Sequence, residues 1–358
     1  MKMSPLLTGL CATLLLTCSL ACQETRDADV ADISLDISFR RTDSLMWACA
    51  KAFRADTTLD NVTAFNQYLR TDRTFLAQWL GLDAATRPDP LPEAIQDSVM
   101  ALALGNLLRD SAVYRLLDTI RQVFPYDYPL AARLLPPLKR LSRDFSDITF
   151  PAFRTFVNGY IMESDLRDAD QIVPLPEYFC LGLHYFMGPE WPYYPPQIPQ
   201  YQRRRFDTTH METLMMTAVA EGLLPPVPRH TEPTLLDNMI RAGIRQYFLA
   251  QMLPYTPDSI RLGYTASQME WAGYYEARIY KELIDKLFST DFNLLNTYLG
   301  EKPYTTQLST ESAPRIGEYA GWRIVTAYMK RHPEVTLEEL CSRTDYEVIF
   351  KEARYKPE

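Results

Sequence analysis

The run PRIGEYAGWRIVTAYMKRHP, residues 314–333, sets the tightest limit on the fold. Pro314 suits the first position of a helix and Pro333 ends it. Between them Gly317 and Gly321 stand one turn apart on the same face, a smooth strip against which another helix can pack closely. A second helix begins after YTPDSIRLGY, where Thr265 and Gln268 form a capping box for a helix expected to reach about Phe288. Helices packed on helices therefore dominate the expected fold.

The rest of the chain adds a small sheet. In DISLDISFRRTD, Ile33, Leu35, Ile37 and Phe39 alternate with Ser and Asp, the period of a strand with one buried face. From Thr42 to Tyr68 the spacing turns helical, and 93–108 and 111–124 read as a helical pair. LSRDFSDITFPAFRTFVNGY and QIVPLPEYFCLGLHYFMG cluster β-branched and aromatic residues between turn signals and are expected to be strands. From His210 onward helix prevails, interrupted by LLPPVPRHTEP and YTPDS. No internal repeat or linker divides the chain, so 32–358 is expected to form one α+β domain, predominantly helical, its small sheet wrapped by helices.

The N-terminus bears on the compartment. MKMSPLLTGLCATLLLTCSLAC has an early lysine, an apolar run from Leu6 to Leu20 and small residues before Cys22, the pattern of a signal peptide over 1–21. Ala21-Cys22 fits a lipoprotein cleavage site, with Cys22 the acylated first residue; Cys18 and an unacylated secreted chain are the alternatives. QETRDADVAD is polar, acidic and aperiodic, so 22–31 is expected to be a flexible tether. No later stretch approaches ~18 apolar residues, and the lipid is the expected membrane attachment. A net charge of −8 argues against nucleic acid as a partner, because phosphate binding needs a basic surface. Cys49, Cys180 and Cys341 lack metal-type spacing and are read either as one disulfide with one free thiol or as three unpaired buried thiols.

Three places carry candidate chemistry. LGLHYFMGPEWPYYPPQIPQYQRRRF is a long loop of aromatics and prolines that could hold a partner segment, with Trp191, Tyr193 and Tyr194 for packing and Arg203, Arg204 and Arg205 for carboxylates; the blander reading is an irregular cover over the core. TTHMETLMMTAV approaches an HExxH zinc helix, but Glu212 stands one place late and Leu214 occupies the second ligand position, so no metal or other cofactor is expected. In the helix after Thr265, Met269, Ala272, Ile279, Leu283 and Leu287 share one arc, and Glu276 falls near its middle. A buried carboxylate requires a partner, so Glu276 is expected to pair with Arg315 or Arg323 as a structural ion pair rather than act as a catalytic acid. Glu311, Tyr264, Trp271 and Trp322 complete this candidate polar and aromatic cluster.

GYTASQMEWAGYYEARIYKELIDKLFSTD, ESAPRIGEYAGWRIVTAYMKR and the ending YKPE resemble the gliding motility-associated lipoprotein family usually called GldB; PQYQRRRF and DISLDISFRRTD extend the likeness over nearly the whole mature chain. The resemblance implies an acylated envelope protein, needed for surface movement in gliding bacteria and linked to envelope machinery for motility and secretion. That family is similar, more distantly, to predicted zinc peptidases with an HExxH helix, a Glu-Gly helix and a proline-led helix with two glycines. Here PRIGEYAGWRIV matches the last element, Ala242 stands where the acid of the second would be, before Gly243, and TTHMETLMMTAV takes the first position without its ligands. A degenerate peptidase scaffold is thus implied, on which Glu212 has no zinc-bound water to activate.

The resulting expectation is a non-catalytic, lipid-anchored envelope protein, held at the outer membrane, whose partners are envelope proteins or other lipoproteins. Two alternatives stand beside it. One is an envelope hydrolase, either a metallopeptidase with unorthodox ligands or one using Glu276 and Glu311; the other is a purely structural protein with no large exposed aromatic patch.

Overall fold

The computed structural model describes residues 27–55, 63–86, 88–157, 171–226 and 232–357. The signal peptide, Cys22, His230 and the VPRHT part of the LLPPVPRHTEP break fall outside these residues. The N-terminal half contains helices α1 (Thr42–Ala55), α2 (Thr63–Thr71), α3 (Arg73–Trp79), α4 (Glu93–Arg109), α5 (Ser111–Val123) and α6 (Leu130–Asp144). After the sheet come α7 (Gln200–Arg203), α8 (Met211–Leu223), α9 (Leu235–Met252), α10 (Asp258–Leu262), α11 (Ala266–Tyr274) and α12 (Glu276–Ile284). The chain closes with α13 (Phe292–Leu299), α14 (Ile316–Arg331), α15 (Leu337–Ser342) and α16 (Tyr346–Ala353). The strands are β1 (Phe39–Arg40), β2 (Ala152–Phe156), β3 (Ile172–Pro174) and β4 (Tyr178–Gly182). The expected α+β, predominantly helical class is what the chain adopts.

The glycine strip finds its partner in α9. A Cβ added at Gly321 would lie 1.8 Å from the Met239 carbonyl oxygen, and one at Gly243 would lie 2.3 Å from the Gly321 carbonyl. The backbones of α9 and α14 therefore meet without side chains between them, and glycine is obligatory on both sides of the crossing. Around it Met239, Ile240, Ile244, Ile324 and Val325 are fully buried, within one apolar core that reaches from Met46 in α1 to Ile349 in α16.

The sheet has the order β1-β2-β4-β3, with β1, β2 and β4 parallel and β3 antiparallel at one end. Phe39, Phe153 and Phe179 form a ladder of rings across three strands, with centroids 4.8 and 5.3 Å apart. The alternation at 32–39 is real in burial: Ile33, Leu35, Ile37 and Phe39 are half-buried while Asp32, Ser34, Asp36 and Ser38 are exposed. Strand pairing, however, begins only at Phe39, so this stretch lies against the body before it joins the sheet. The LSRD part of the first inner strand expectation is instead the end of α6, because Leu134, Leu138 and Leu141 keep helical spacing into the core.

Three further expectations change. Residues 42–68 divide between α1 and α2, with 56–62 outside the described residues. The Thr265–Gln268 capping box is formed, but the helix breaks at Tyr275, where φ −100° and ψ 20° leave the helical region, so that Glu276 opens α12. The tether expected over 22–31 is docked over its described part. Ala28–Val30 form a 3-10 turn, Val30 is buried, and the buried Arg140 of α6 donates to Asp27 at 2.8 Å and to Asp29 at 2.6 and 2.9 Å. Acidic composition suggested a solvated segment, whereas these acids neutralise a cation that could not be buried alone. Cys49, Cys180 and Cys341 are buried and unbridged, and burial pushes each thiol up to about 12, which keeps them unreactive.

Candidate functional site

α8, α9, α10 and the start of α14 surround an open cleft of about 330 Å³. One face of α8 supplies Thr213, Leu214, Thr217, Ala218 and Glu221 at three- and four-residue spacing, continuing His210 from the turn before it. Ile172 and Pro174 of β3, together with Ile260 and Leu262, make the remaining walls apolar, while Arg205, Arg245, Arg261 and Arg315 bring in guanidinium groups.

The organising group is Glu318, only 2% exposed. It accepts hydrogen bonds from Arg245 Nη2 at 2.5 Å and Gln246 Nε2 at 2.9 Å, and pairs with Arg315 Nη1 at 3.2 Å. Burial pushes this carboxyl up, but the charges of Arg245 and Arg315 and the two donated hydrogen bonds outweigh it and hold Glu318 down at about 2. Arg245 also reaches Glu221 at 2.5 Å, which Arg241 meets at 2.8 Å. Behind the lining, Glu301 pairs with Arg205 at 3.3 Å and Arg315 at 3.5 Å. Arg261 pairs with Asp258 and lies over the Trp322 ring, 5.7 Å from its centroid; burial pulls its guanidinium below the usual arginine range despite that carboxylate. Arg315 holds φ at 47°, a left-handed conformation uncommon outside glycine, immediately before α14. Its Nη2 donates to the Leu262 carbonyl at 2.5 Å, and the Tyr264 hydroxyl donates to the Arg315 carbonyl at 3.4 Å, which ties α14 to α10.

Glu276 forms a separate cluster. Arg323 Nε donates to it at 2.6 Å and the Tyr319 hydroxyl at 3.3 Å, and the Tyr355 hydroxyl is a third donor. Of the two partners anticipated for Glu276, Arg323 is the one found; Arg315 belongs to the Glu318 network. Burial, with the Glu276 charge added, pushes the Tyr319 phenol up to about 12. Glu311 is exposed and stands apart, its backbone N–H donating to Ser309 Oγ at 3.1 Å. Trp271 packs on Tyr275 at 4.9 Å, and Trp322 lies beneath Arg261 and Arg323. The cluster expected from sequence is thus divided between two places.

The aromatic loop is ordered by its own side chains. The Tyr194 hydroxyl is buried, accepting from the Met187 N–H at 3.1 Å and donating to the Phe206 carbonyl at 3.4 Å. Arg203 does not present its charge to a partner: it donates to the Ile198 and Pro195 carbonyls at 2.9 and 3.2 Å and so fastens the proline turns. Arg204 is exposed, and only Arg205 enters the cleft. Tyr193, 71% exposed, and Trp191 stack edge-on at 5.1 Å and line a second groove of about 530 Å³ against α5.

Residues with the spacing of a zinc helix are placed otherwise. Glu212 is held by Arg133 of α6 through two hydrogen bonds, at 2.6 and 2.8 Å, and His210 Nδ1 bonds Asp207 at 2.9 Å. Leu214 faces the cleft; Ala242 does not line it. Among the described residues, no group of three or more His, Cys, Asp or Glu side chains is arranged to hold a metal ion.

A family model described as gliding motility protein GldB matches residues 23–357, nearly the whole chain. The chain belongs to this family. It is a lipoprotein family of gliding motility, which places the protein in the cell envelope and among the motility-associated proteins found there. Neither the curated proteins nor the solved structures compared with the chain gave a match.

Sequence reasoning missed Glu318, Arg245, Gln246, Arg261, Glu221 and Glu301. The signal lay beside the glycine strip: once Gly317, Gly321 and Gly243 mark a backbone contact, Glu318 directly follows Gly317, and Arg245 and Gln246 stand two and three residues after Gly243.

Proposed function

We propose that the protein is a non-catalytic, lipid-anchored binding component of the envelope, anchored through Cys22 at the outer membrane. It takes up a segment of another envelope protein in the arginine-lined cleft and along the aromatic loop. The observation that carries this reading is the state of the cleft carboxylates. Glu318 is locked between Arg245 and Arg315 and held ionised at about 2, and Glu221 is shared by two arginines, so neither is poised to take a proton near neutral pH. Glu276 is engaged by three donors and Glu311 stands apart from it, which disfavours a two-carboxylate hydrolase.

Site-specific photocrosslinking tests the reading. A crosslinker at Tyr193 or Leu214 of the full chain in its native envelope is expected to trap one defined protein. Loss of motility function in a variant that keeps that crosslink, together with peptide hydrolysis by the purified chain, would contradict it.

A further inference from the structure

We propose that the cleft between α8, α9, α10 and the start of α14 is a receptor for a carboxylate carried by an extended peptide with apolar residues beside it. This rests on the binding reading and names the ligand class of the same site.

The cleft lining is cationic within an acidic chain. Four guanidinium groups (Arg205, Arg245, Arg261 and Arg315) face two carboxylates (Glu221 and Glu318), an excess of two positive charges, although the whole sequence carries a net −8. Asp258 and Glu301 pair with these arginines from outside the lining and fix the positions of the guanidinium groups that border the cavity. Arginine forks match a carboxylate's two oxygens, and pre-positioned forks lose little entropy on binding. A further donor is at hand: Thr213 is 5% exposed and lines the cleft, and its hydroxyl has no hydrogen-bond partner among the described residues. Buried hydroxyls are seldom left in that state.

The walls narrow the ligand further. Ile172, Leu214, Ile260 and Leu262 offer apolar contact that a bare, strongly hydrated phosphate could not use, whereas a peptide end or an acidic residue between apolar neighbours uses both features. A volume of about 330 Å³ accommodates one or two residues rather than a folded domain. β3 is the end strand of the sheet among the described residues, and its Ile172 and Pro174 line the cleft, so an entering segment passes beside the apolar side chains of that strand. The carboxylate could be a chain terminus or a side chain.

The test uses the full-length protein in detergent micelles and three fluorescein-labelled peptides followed by anisotropy: Ser-Gly-Ala-Leu-Ile as the free acid, the same peptide as its C-terminal amide, and Ser-Gly-Asp-Leu-Ile as the amide. Binding of the free acid with at least about tenfold weaker binding of its amide supports a terminal carboxylate, the loss expected when a charge-assisted contact disappears. If the Asp peptide binds and the plain amide does not, a side-chain carboxylate is the ligand. Equal binding of all three, binding of none, or displacement by inorganic phosphate that itself binds more tightly than the peptide overturns the proposal. Arg261→Gln and Leu214→Trp should each weaken the favoured peptide by about tenfold or more. Leu214→Trp fills the cleft while keeping every charge, so the test survives if Arg261→Gln does not fold. The same incubations are read by mass: a cleaved peptide refutes the non-catalytic reading, while an intact and unbound one refutes only the carboxylate.

Discussion

Glu318 and Glu276 are both carboxylates held by α14 arginines, or by an arginine just before that helix, yet they do opposite work. Glu318, 2% exposed, faces Arg245 and Arg315 and stands at the wall of a cleft. Glu276, with an 18% exposed side chain, meets Arg323, whose side chain is 39% exposed, and two tyrosines that fasten α12 and the C-terminal residues to α14. The first assembles guanidinium groups around a space a ligand can enter; the second closes a seam. A buried carboxylate thus marks a site only when its counter-ions border accessible volume.

The largest effect is expected where both clusters are disturbed together. Gly321→Ala places a methyl group in the Met239 carbonyl and must part α9 from α14, at more than about 4 kcal/mol, so that far-ultraviolet circular dichroism of the purified chain should show a failed or strongly weakened fold. Glu318→Ala comes next, at about 3–5 kcal/mol in urea unfolding, because it removes the buried counter-ion that Arg245 and Arg315 share and leaves each only its outer partner, Glu221 or Glu301. Its pH signature has a definite sign. The folded carboxyl is held at about 2, below its ordinary 4.5, so its contribution is full above pH 4.5, shrinks as pH falls and is gone below about 2. Glu318→Gln should flatten this acid limb of stability against pH, and an unchanged limb would mean that Glu318 is not the group responsible.

Glu276→Ala is expected to cost about 1 kcal/mol, since its arginine partner is solvent-screened. Equal losses for Glu318→Ala and Glu276→Ala would erase the distinction between wall and seam. Glu311→Ala should shift stability by less than about 0.5 kcal/mol, as an exposed residue outside both clusters.

Much of this was legible in the chain. Gly317, Gly321 and Pro333 announced the helix crossing, although the helix starts at Ile316, two residues after Pro314. Thr265 and Gln268 announced the start of α11, and the rhythm at 33–39 announced a half-buried extended stretch. What failed did so for nameable reasons. Glu276 looked central because a continuous helix was assumed, and the break at Tyr275 turned it toward the rim. The RRR run looked like one basic patch, but each arginine meets different neighbours: the proline-turn carbonyls for Arg203, open surface for Arg204, Glu301 and the cleft for Arg205. Local pattern reports helix faces well; it does not report which carbonyls or carboxylates a loop will bring within reach. The cleft itself joins residues from 172 to 318, and no window along the sequence contains it.

The measurement that most directly separates binding from catalysis is the metal content of the full chain, purified in detergent without a histidine tag or chelator, taken with its melting temperature before and after added zinc. The arginine-lined cleft, with Glu212 held by Arg133 and Leu214 on its wall, predicts no stoichiometric metal and no shift. Near-stoichiometric zinc with a clear rise in melting temperature would contradict it and return His210, Glu212 and Glu276 to consideration as ligands.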